Sequence, residues 1–193
     1  MEIAVTGHSG FIGTYLCNAI EKKGWKLIRI SNVMESVKCD RVYHLACPSS
    51  TQNILDDPIG IIDVIIDGTR KASKICPKAQ FINISSMGAL YTTKDSKQSC
   101  YNTAKRLMEL YLKYDKSVSN TMTYRLPSVY GVGMGADCFI QRCIDGKAYK
   151  PKNYDKIHYI GSIDSIIESL IYLKPLKIEV ITLGEIYDRF SKI

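Results

Sequence analysis

The stretch Thr6-Gly7-His8-Ser9-Gly10-Phe11-Ile12-Gly13 decides the fold of this chain. It follows a short apolar run, Glu2 to Thr6, that reads as a buried strand. It opens a segment, Phe11 to Lys23, whose apolar residues Phe11, Ile12, Tyr15, Leu16, Ala19 and Ile20 fall at helical spacing, with Gly24 as a stop signal. Between a strand and a helix, each glycine has a physical role. The first permits a tight turn, the second lets backbone approach a pyrophosphate, and the third allows the helix to pack closely on the strand. The free amides and positive dipole end of the helix favour phosphate groups. The order strand, glycine turn, helix predicts a dinucleotide-binding unit.

Working outward, strand-like and helix-like segments alternate. Lys26 to Ile30, Arg41 to Ala46, Gln80 to Ile84, Thr121 to Leu126, Ile157 to Ile160 and Ile178 to Thr182 read as strands. Ile59 to Cys76, Tyr101 to Tyr114, Ser162 to Leu173 and Glu185 to Phe190 read as helices. This alternation predicts an α/β fold with a doubly wound parallel sheet covered on both faces. The glycine-rich stretch Gly131 to Gly135 marks a soft boundary, giving a core over 1–133 and a smaller region over 134–193 packed on it as one structural domain. The acidic residue that commonly binds a cofactor ribose should end the second strand, at Ser31 or Asn32, and neither is a carboxylate. The usual preference for NAD over NADP is therefore missing, and the expected cofactor is NAD(P).

Composition excludes several classes. The 193 residues carry a formal net charge of +7, with 46% hydrophobic and 23% charged residues, a globular balance. No apolar run approaches the roughly 18 residues of a membrane span. The seven cysteines, Cys17, Cys39, Cys47, Cys76, Cys100, Cys138 and Cys143, are scattered and include no CxxC pair. With no export signal at the start, they predict free thiols in a reducing, cytoplasmic setting. The three histidines have no metal-ligand spacing, so no metal site is expected. The positive charge is diffuse, which argues against nucleic acid as the main partner; a basic protein of this fold touching RNA or DNA is the weakest reading.

Tyr101-Asn102-Thr103-Ala104-Lys105 places a phenol and an ammonium one turn apart on a helix face. A positive charge beside a phenol favours the phenolate and makes the group a usable proton donor and acceptor. The pair follows the strand Gln80 to Ile84 and the serines Ser85 and Ser86.

Together these residues resemble the short-chain dehydrogenase/reductases of the extended type, which includes nucleotide-sugar epimerases and dehydratases. The matching segments are TGHSGFIG (6–13), VYHLA (42–46), ISSMGALY (84–91), YNTAK (101–105) and RLPSVYGVG (125–133), with Asp164 in a further family-like segment. The resemblance implies a Rossmann-type fold and an NAD(P) cofactor. It implies that Gly7, Ser9, Gly10, Phe11, Ile12 and Gly13 hold the pyrophosphate, with Ser31 beside the ribose. Leu45, Ala46 and Cys47 would line the cofactor groove, and Pro127 would sit near the nicotinamide. Tyr101 would act as acid and base, Lys105 would lower its pKa and hold the ribose, and a hydroxyl would orient the substrate oxygen. That hydroxyl is Ser86 by likeness to the cinnamoyl-CoA reductase branch, with Ser85 behind it; the epimerase position is Met87. The implied substrate is a small molecule, a nucleotide sugar, and the implied assembly is a homodimer through the helices bearing Ile59 to Cys76 and Tyr101 to Tyr114.

Four departures shape the alternative reading. Met87 stands at the epimerase hydroxyl position, and Ile65 where an asparagine is usual. The adenine side between Asn32 and Asp40 is short by a strand, and about 60 residues follow Gly133, so the substrate region is truncated. The alternative is an NAD(P)-binding sensor or interaction protein with little or no turnover. Outside these motifs, Arg125 is expected as a structural ion partner, His44 as a satisfied core histidine, Cys47 as a small hydrophobe, and His8 as a cover over the pyrophosphate.

Overall fold

The computed structural model describes residues 1–192 apart from 32–35, 49, 50, 92–95, 119 and 137. Asn32, one of the two ribose positions, lies outside the described residues. The chain divides into two compact units, Met1–Leu126 and Pro127–Ile193.

In the first unit, β1 (Glu2–Thr6) leads through the glycine turn into α1 (Phe11–Lys22) and β2 (Lys26–Ile30). Then come β3 (Arg41–His44), α2 (Thr51–Asp56), α3 (Pro58–Ala72) and β4 (Gln80–Ser86). A 3-10 turn at Met87–Leu90, α4 (Lys97–Tyr114) and β5 (Thr121–Leu126) complete it. The sheet has five strands in the order β2-β1-β3-β4-β5, every pairing parallel. Ile3, Ala4 and Val5 in β1 have no exposed surface, so this strand is covered on both faces, as its unbroken apolar run requires. Ala4, Val42 and Phe81 meet Ala72, Ile75 and Leu112 in one cluster, while α1 buries Leu16, Cys17 and Ile20. The architecture is Rossmann-like. Among the described residues no strand lies beyond β2.

This order fixes where a ligand can sit. β1 leads to β2 on one side while β3 continues on the other. The sheet thus reverses direction between β1 and β3, and the crevice outside the carboxyl ends of those strands is the binding place of such sheets. The glycine turn leaves β1 at that point, and Leu45 to Cys47 leave β3 there.

The second unit holds a three-stranded sheet in the order β6-β7-β8, formed by β6 (Ser128–Tyr130), β7 (Ile157–Ser162) and β8 (Glu179–Thr182). β6 and β7 are parallel, but β7 and β8 are antiparallel, so the wholly parallel pattern expected from alternation stops here. Its helices are α5 (Phe139–Ile144), α6 (Ile163–Tyr172) and α7 (Leu183–Phe190). Ser162 caps α6, and Thr182 with Glu185 forms a capping box on α7. Ile140, Cys143, Ile160, Ile181, Ile186 and Phe190 form the core of this unit.

Candidate active site

The glycine turn has the geometry its sequence predicts. Gly7 adopts φ +68°, and a Cβ there would lie 2.5 Å from the backbone nitrogen of Ala46. A Cβ on Gly13 would collide with the carbonyl oxygen of Gly7 and with His8 Cα, so this glycine lets the helix lie against the turn. Gly10 differs: a Cβ there meets only Gly7 O, at 3.4 Å, and otherwise open space. Gly10 is also the N-cap of α1, and no side chain caps that helix or places an acid in its first turn. The amides of the first turn, those of Phe11 and Ile12 among them, are thus left for an anion, and the space over Gly10 is the cradle it would fill. These residues fit a dinucleotide pyrophosphate.

The other side of the crevice is tied to the turn through Thr6. Leu45 N–H donates to Thr6 O at 3.2 Å, and Ala46 N–H to Thr6 Oγ1 at 3.2 Å. Thr6 Oγ1 also bonds His44 Nδ1 at 2.8 Å, and His44 Nε2 bonds Thr69 Oγ1 on α3 at 3.2 Å. The imidazole is satisfied in the core, as expected. Burial, with the charge of Lys105 adding to it, pushes His44 down to about 3, so the ring is neutral. Ile65 is buried with Ile54, Ile61, Ala104 and Met108, and Cys47 packs against that cluster. At the ribose end, Ser31 Oγ lies 3.2 Å from His8 Nε2, while Arg29 turns away to Glu21 at 2.8 Å. Pro127, expected beside the nicotinamide, opens the second unit and packs there on Gly161.

Tyr101, Lys105 and Glu109 lie four residues apart on α4 and form one stripe against the carboxyl end of β4. The Tyr101 phenol is hydrogen-bonded to Ser86, whose Oγ also accepts from Gly88 N at 3.1 Å. Lys105 is buried, and its ammonium donates to Ile84 O at 2.9 Å, 5.9 Å from the Tyr101 ring centroid. Glu109 accepts from Ser85 Oγ at 2.7 Å. The two serines are therefore divided between roles: Ser86 faces the phenol, and Ser85 anchors the helix. Met87 lines a separate cleft of about 740 Å³ with Leu90, Arg106, Glu109 and Arg125.

One electrostatic expectation is corrected. Burial pushes the Tyr101 phenol up, the thiol of Cys47 adds to the rise, and the Ser86 hydrogen bond opposes it. Lys105 was expected to lower it; its ammonium stands 5.9 Å from the ring centroid, hydrogen-bonded to the Ile84 carbonyl, and burial prevails. The phenol is neutral at ordinary pH in this arrangement.

Sequence reasoning passed over Glu109, which completes the stripe. Its signal was present: it stands one turn beyond Lys105, and Arg125 on β5 lacked a partner. Arg125 Nε donates to Glu109 Oε1 at 2.9 Å, Arg125 Nη2 to Oε2 at 2.6 Å, and Arg106 Nη1 to Oε2 at 2.9 Å. The expected ion-partner role of Arg125 is met by this carboxylate.

All seven cysteines are free thiols. Among the described residues no group of three His, Cys, Asp or Glu is placed to hold a metal, and no helix is long and apolar enough to cross a membrane.

The fold is shared with solved structures at low sequence identity. A UDP-glucose 4-epimerase from Thermotoga maritima, determined with UDP-glucose, is 17% identical with a TM-score of 0.78, over 100% of this chain and 82% of that one. The UDP-glucose 4-epimerase of Thermus thermophilus in complex with NAD is 16% identical, TM-score 0.78, over 100% and 83%. A dTDP-4-dehydrorhamnose reductase from Clostridium acetobutylicum is 14% identical, TM-score 0.81, over 100% and 80%. No curated protein sequence matches the chain. The model of the NAD dependent epimerase/dehydratase family matches residues 3–165, across the glycine turn and the Tyr101–Lys105 pair. The chain belongs to the NAD-dependent epimerase/dehydratase family.

Proposed function

We propose that this protein is an NAD(P)-dependent enzyme that acts at a hydroxyl or carbonyl carbon of a nucleotide sugar, as an epimerase, dehydratase or reductase. The observation that carries the reading is the convergence of Tyr101, Ser86 and Lys105 at the carboxyl end of β4, in a chain whose β1–β3 crevice fits a dinucleotide. The nucleotide-sugar substrate enters from the solved neighbours, one of which was determined with UDP-glucose. The seven free thiols support a reducing, cytoplasmic setting. A homodimer through α3 and α4 belongs to the same proposal, since Ile59, Val64 and Leu107 on those helices are exposed.

A bound nicotinamide dinucleotide supplies the hydride donor or acceptor. The chain supplies proton handling and position. In the reductive direction the neutral Tyr101 phenol gives its proton to the substrate carbonyl oxygen, and the Ser86 hydroxyl orients that oxygen. The resulting phenolate is favoured by the Ser86 hydrogen bond and by the Lys105 ammonium nearby. In the oxidative direction the phenolate takes the proton from the substrate hydroxyl. Leu45, Ala46 and Cys47 wall the groove, and Gly7, Ser9, Gly10, Phe11, Ile12 and Gly13 seat the pyrophosphate.

The test is a panel of nucleoside-diphosphate sugars incubated with the protein and each nicotinamide dinucleotide, followed by NMR of the sugar. Conversion to an epimer, a keto sugar or a deoxy sugar is expected. A protein that binds the dinucleotide and changes no sugar would favour the non-catalytic sensor.

A further inference from the structure

The ribose end of the dinucleotide site carries an arrangement that the family's name does not explain. Register pairs Thr6 with Ile30, so Ser31 is the first residue past β2 and stands level with the glycine turn. His8 of that turn reaches across to it, Nε2 to Oγ at 3.2 Å. A dinucleotide seated on the turn brings its adenosine ribose to this end of β2. A carboxylate there would accept from the ribose 2'-hydroxyl and repel a 2'-phosphate.

None is available among the described residues of this corner. Glu21 is occupied by Arg29 at 2.8 Å, and Glu2, at the far end of β1, is occupied by Lys26 at 2.8 Å. Among the described residues, a hydroxyl and an imidazole stand at this end of β2. Both donate hydrogen bonds, and neither carries negative charge. With Nε2 protonated the imidazole donates to Ser31 Oγ and leaves the serine's own O–H to give. With Nε2 bare the serine donates and the other ring nitrogen carries the proton. In either form the pair keeps a donor that a phosphate monoester can take up. The uncapped first turn of α1 favours negative charge close by.

From this geometry we infer that the His8–Ser31 pair selects the 2'-phosphorylated dinucleotide, so that the protein uses NADP(H) rather than NAD(H). The inference rests on the dinucleotide reading of the site. It is independent of which sugar is turned over, and binding alone tests it.

The experiment is a fluorescence titration of the purified full chain with NADPH and with NADH in the same buffer. Wild type is expected to bind NADPH roughly tenfold or more tightly, the worth of one charge-assisted hydrogen bond. Ser31→Asp should reverse the order, and His8→Ala should weaken NADPH several-fold more than it weakens NADH. Both residues are on the rim of the turn, and retained NADH binding shows that each variant is folded. NADH binding as tight as NADPH in wild type, or a ratio unmoved by Ser31→Asp, would overturn the inference alone. Binding of neither dinucleotide would overturn the dinucleotide reading and the inference with it.

Discussion

Arg125 on β5 forks the carboxylate of Glu109 on α4, with contacts of 2.9 and 2.6 Å. The same carboxylate takes Ser85 of β4 and Arg106 of α4, so one buried acid joins a helix to two neighbouring strands. Removing the charge leaves two guanidinium groups without their counter-charge and with one acceptor oxygen fewer. Glu109→Gln should cost about 2–3 kcal/mol, the low side for a broken buried pair because the Arg125 side chain keeps 34% of its exposure. Denaturant unfolding of wild type and variant measures it; a loss well under about 1 kcal/mol would contradict the tie. The pH dependence has a definite sign. Burial raises the Glu109 carboxyl, but hydrogen bonds from Arg125, Ser85 and Arg106 outweigh it and hold the group below its ordinary value. Its stabilisation is present above the unfolded carboxyl value of about 4.3 and is lost as pH falls through the folded one. Glu109→Gln should therefore flatten the acid limb of stability against pH.

His44 gives a second pH signature. Its folded value is about 3 because the ring is buried. The unfolded imidazole titrates near 6.5. Between these values the unfolded chain binds a proton that the folded chain refuses. Stability falls as pH drops through that window, by roughly 1.4 kcal/mol per pH unit for one group, and is retained above it. His44→Asn should remove this part of the slope, read from urea midpoints taken at several pH values between about 4 and 8. An unchanged slope would mean that the imidazole is not held neutral.

Gly10 and Gly13 should separate binding from folding. Alanine at Gly13 drives a methyl group into the Gly7 carbonyl and should destabilise by about 1–3 kcal/mol. Alanine at Gly10 meets only Gly7 O at ordinary contact distance, and its φ of −76° suits any residue. Gly10→Ala should keep its Tm yet lose dinucleotide affinity, because the added methyl occupies the cradle. Calorimetry with and without dinucleotide distinguishes the two. Full affinity in Gly10→Ala would place the pyrophosphate elsewhere.

The parts of the molecule that were legible in the sequence are those with a repeating or obligatory pattern. The glycine turn was readable because each glycine answers a separate steric demand, β1 because its apolar run is unbroken, and α4 because its apolar residues keep a helical period. The short elements were not. α2, α5, β6 and the 3-10 turn at Met87–Leu90 run three to six residues, too few to show a period. The antiparallel β8 was hidden because a helix between two strands normally predicts a parallel crossover. The stretch from Leu173 to Ile178 separates α6 from β8, and nothing in its composition announces a reversal. At the site, Tyr101, Lys105 and the Ser86 hydroxyl were visible from sequence, whereas the partner of Lys105 was not. The hydrogen bond from Lys105 to Ile84 is to a backbone carbonyl, which no side-chain pattern records. The rise in the Tyr101 phenol comes from burial, a property of packing.

Tyr101→Phe tests the central claim most directly, namely that the phenol at the end of β4 handles the proton of the reaction. The variant lacks only the hydroxyl, so dinucleotide affinity should stay within about twofold, measured alongside as a control. The measurement is the single-turnover rate of a nucleoside-diphosphate keto sugar with reduced dinucleotide, followed by nicotinamide absorbance. The account predicts a fall of roughly 10²–10⁴-fold from wild type, the usual worth of a positioned proton donor. A rate equal to wild type, with the dinucleotide still bound, would contradict it.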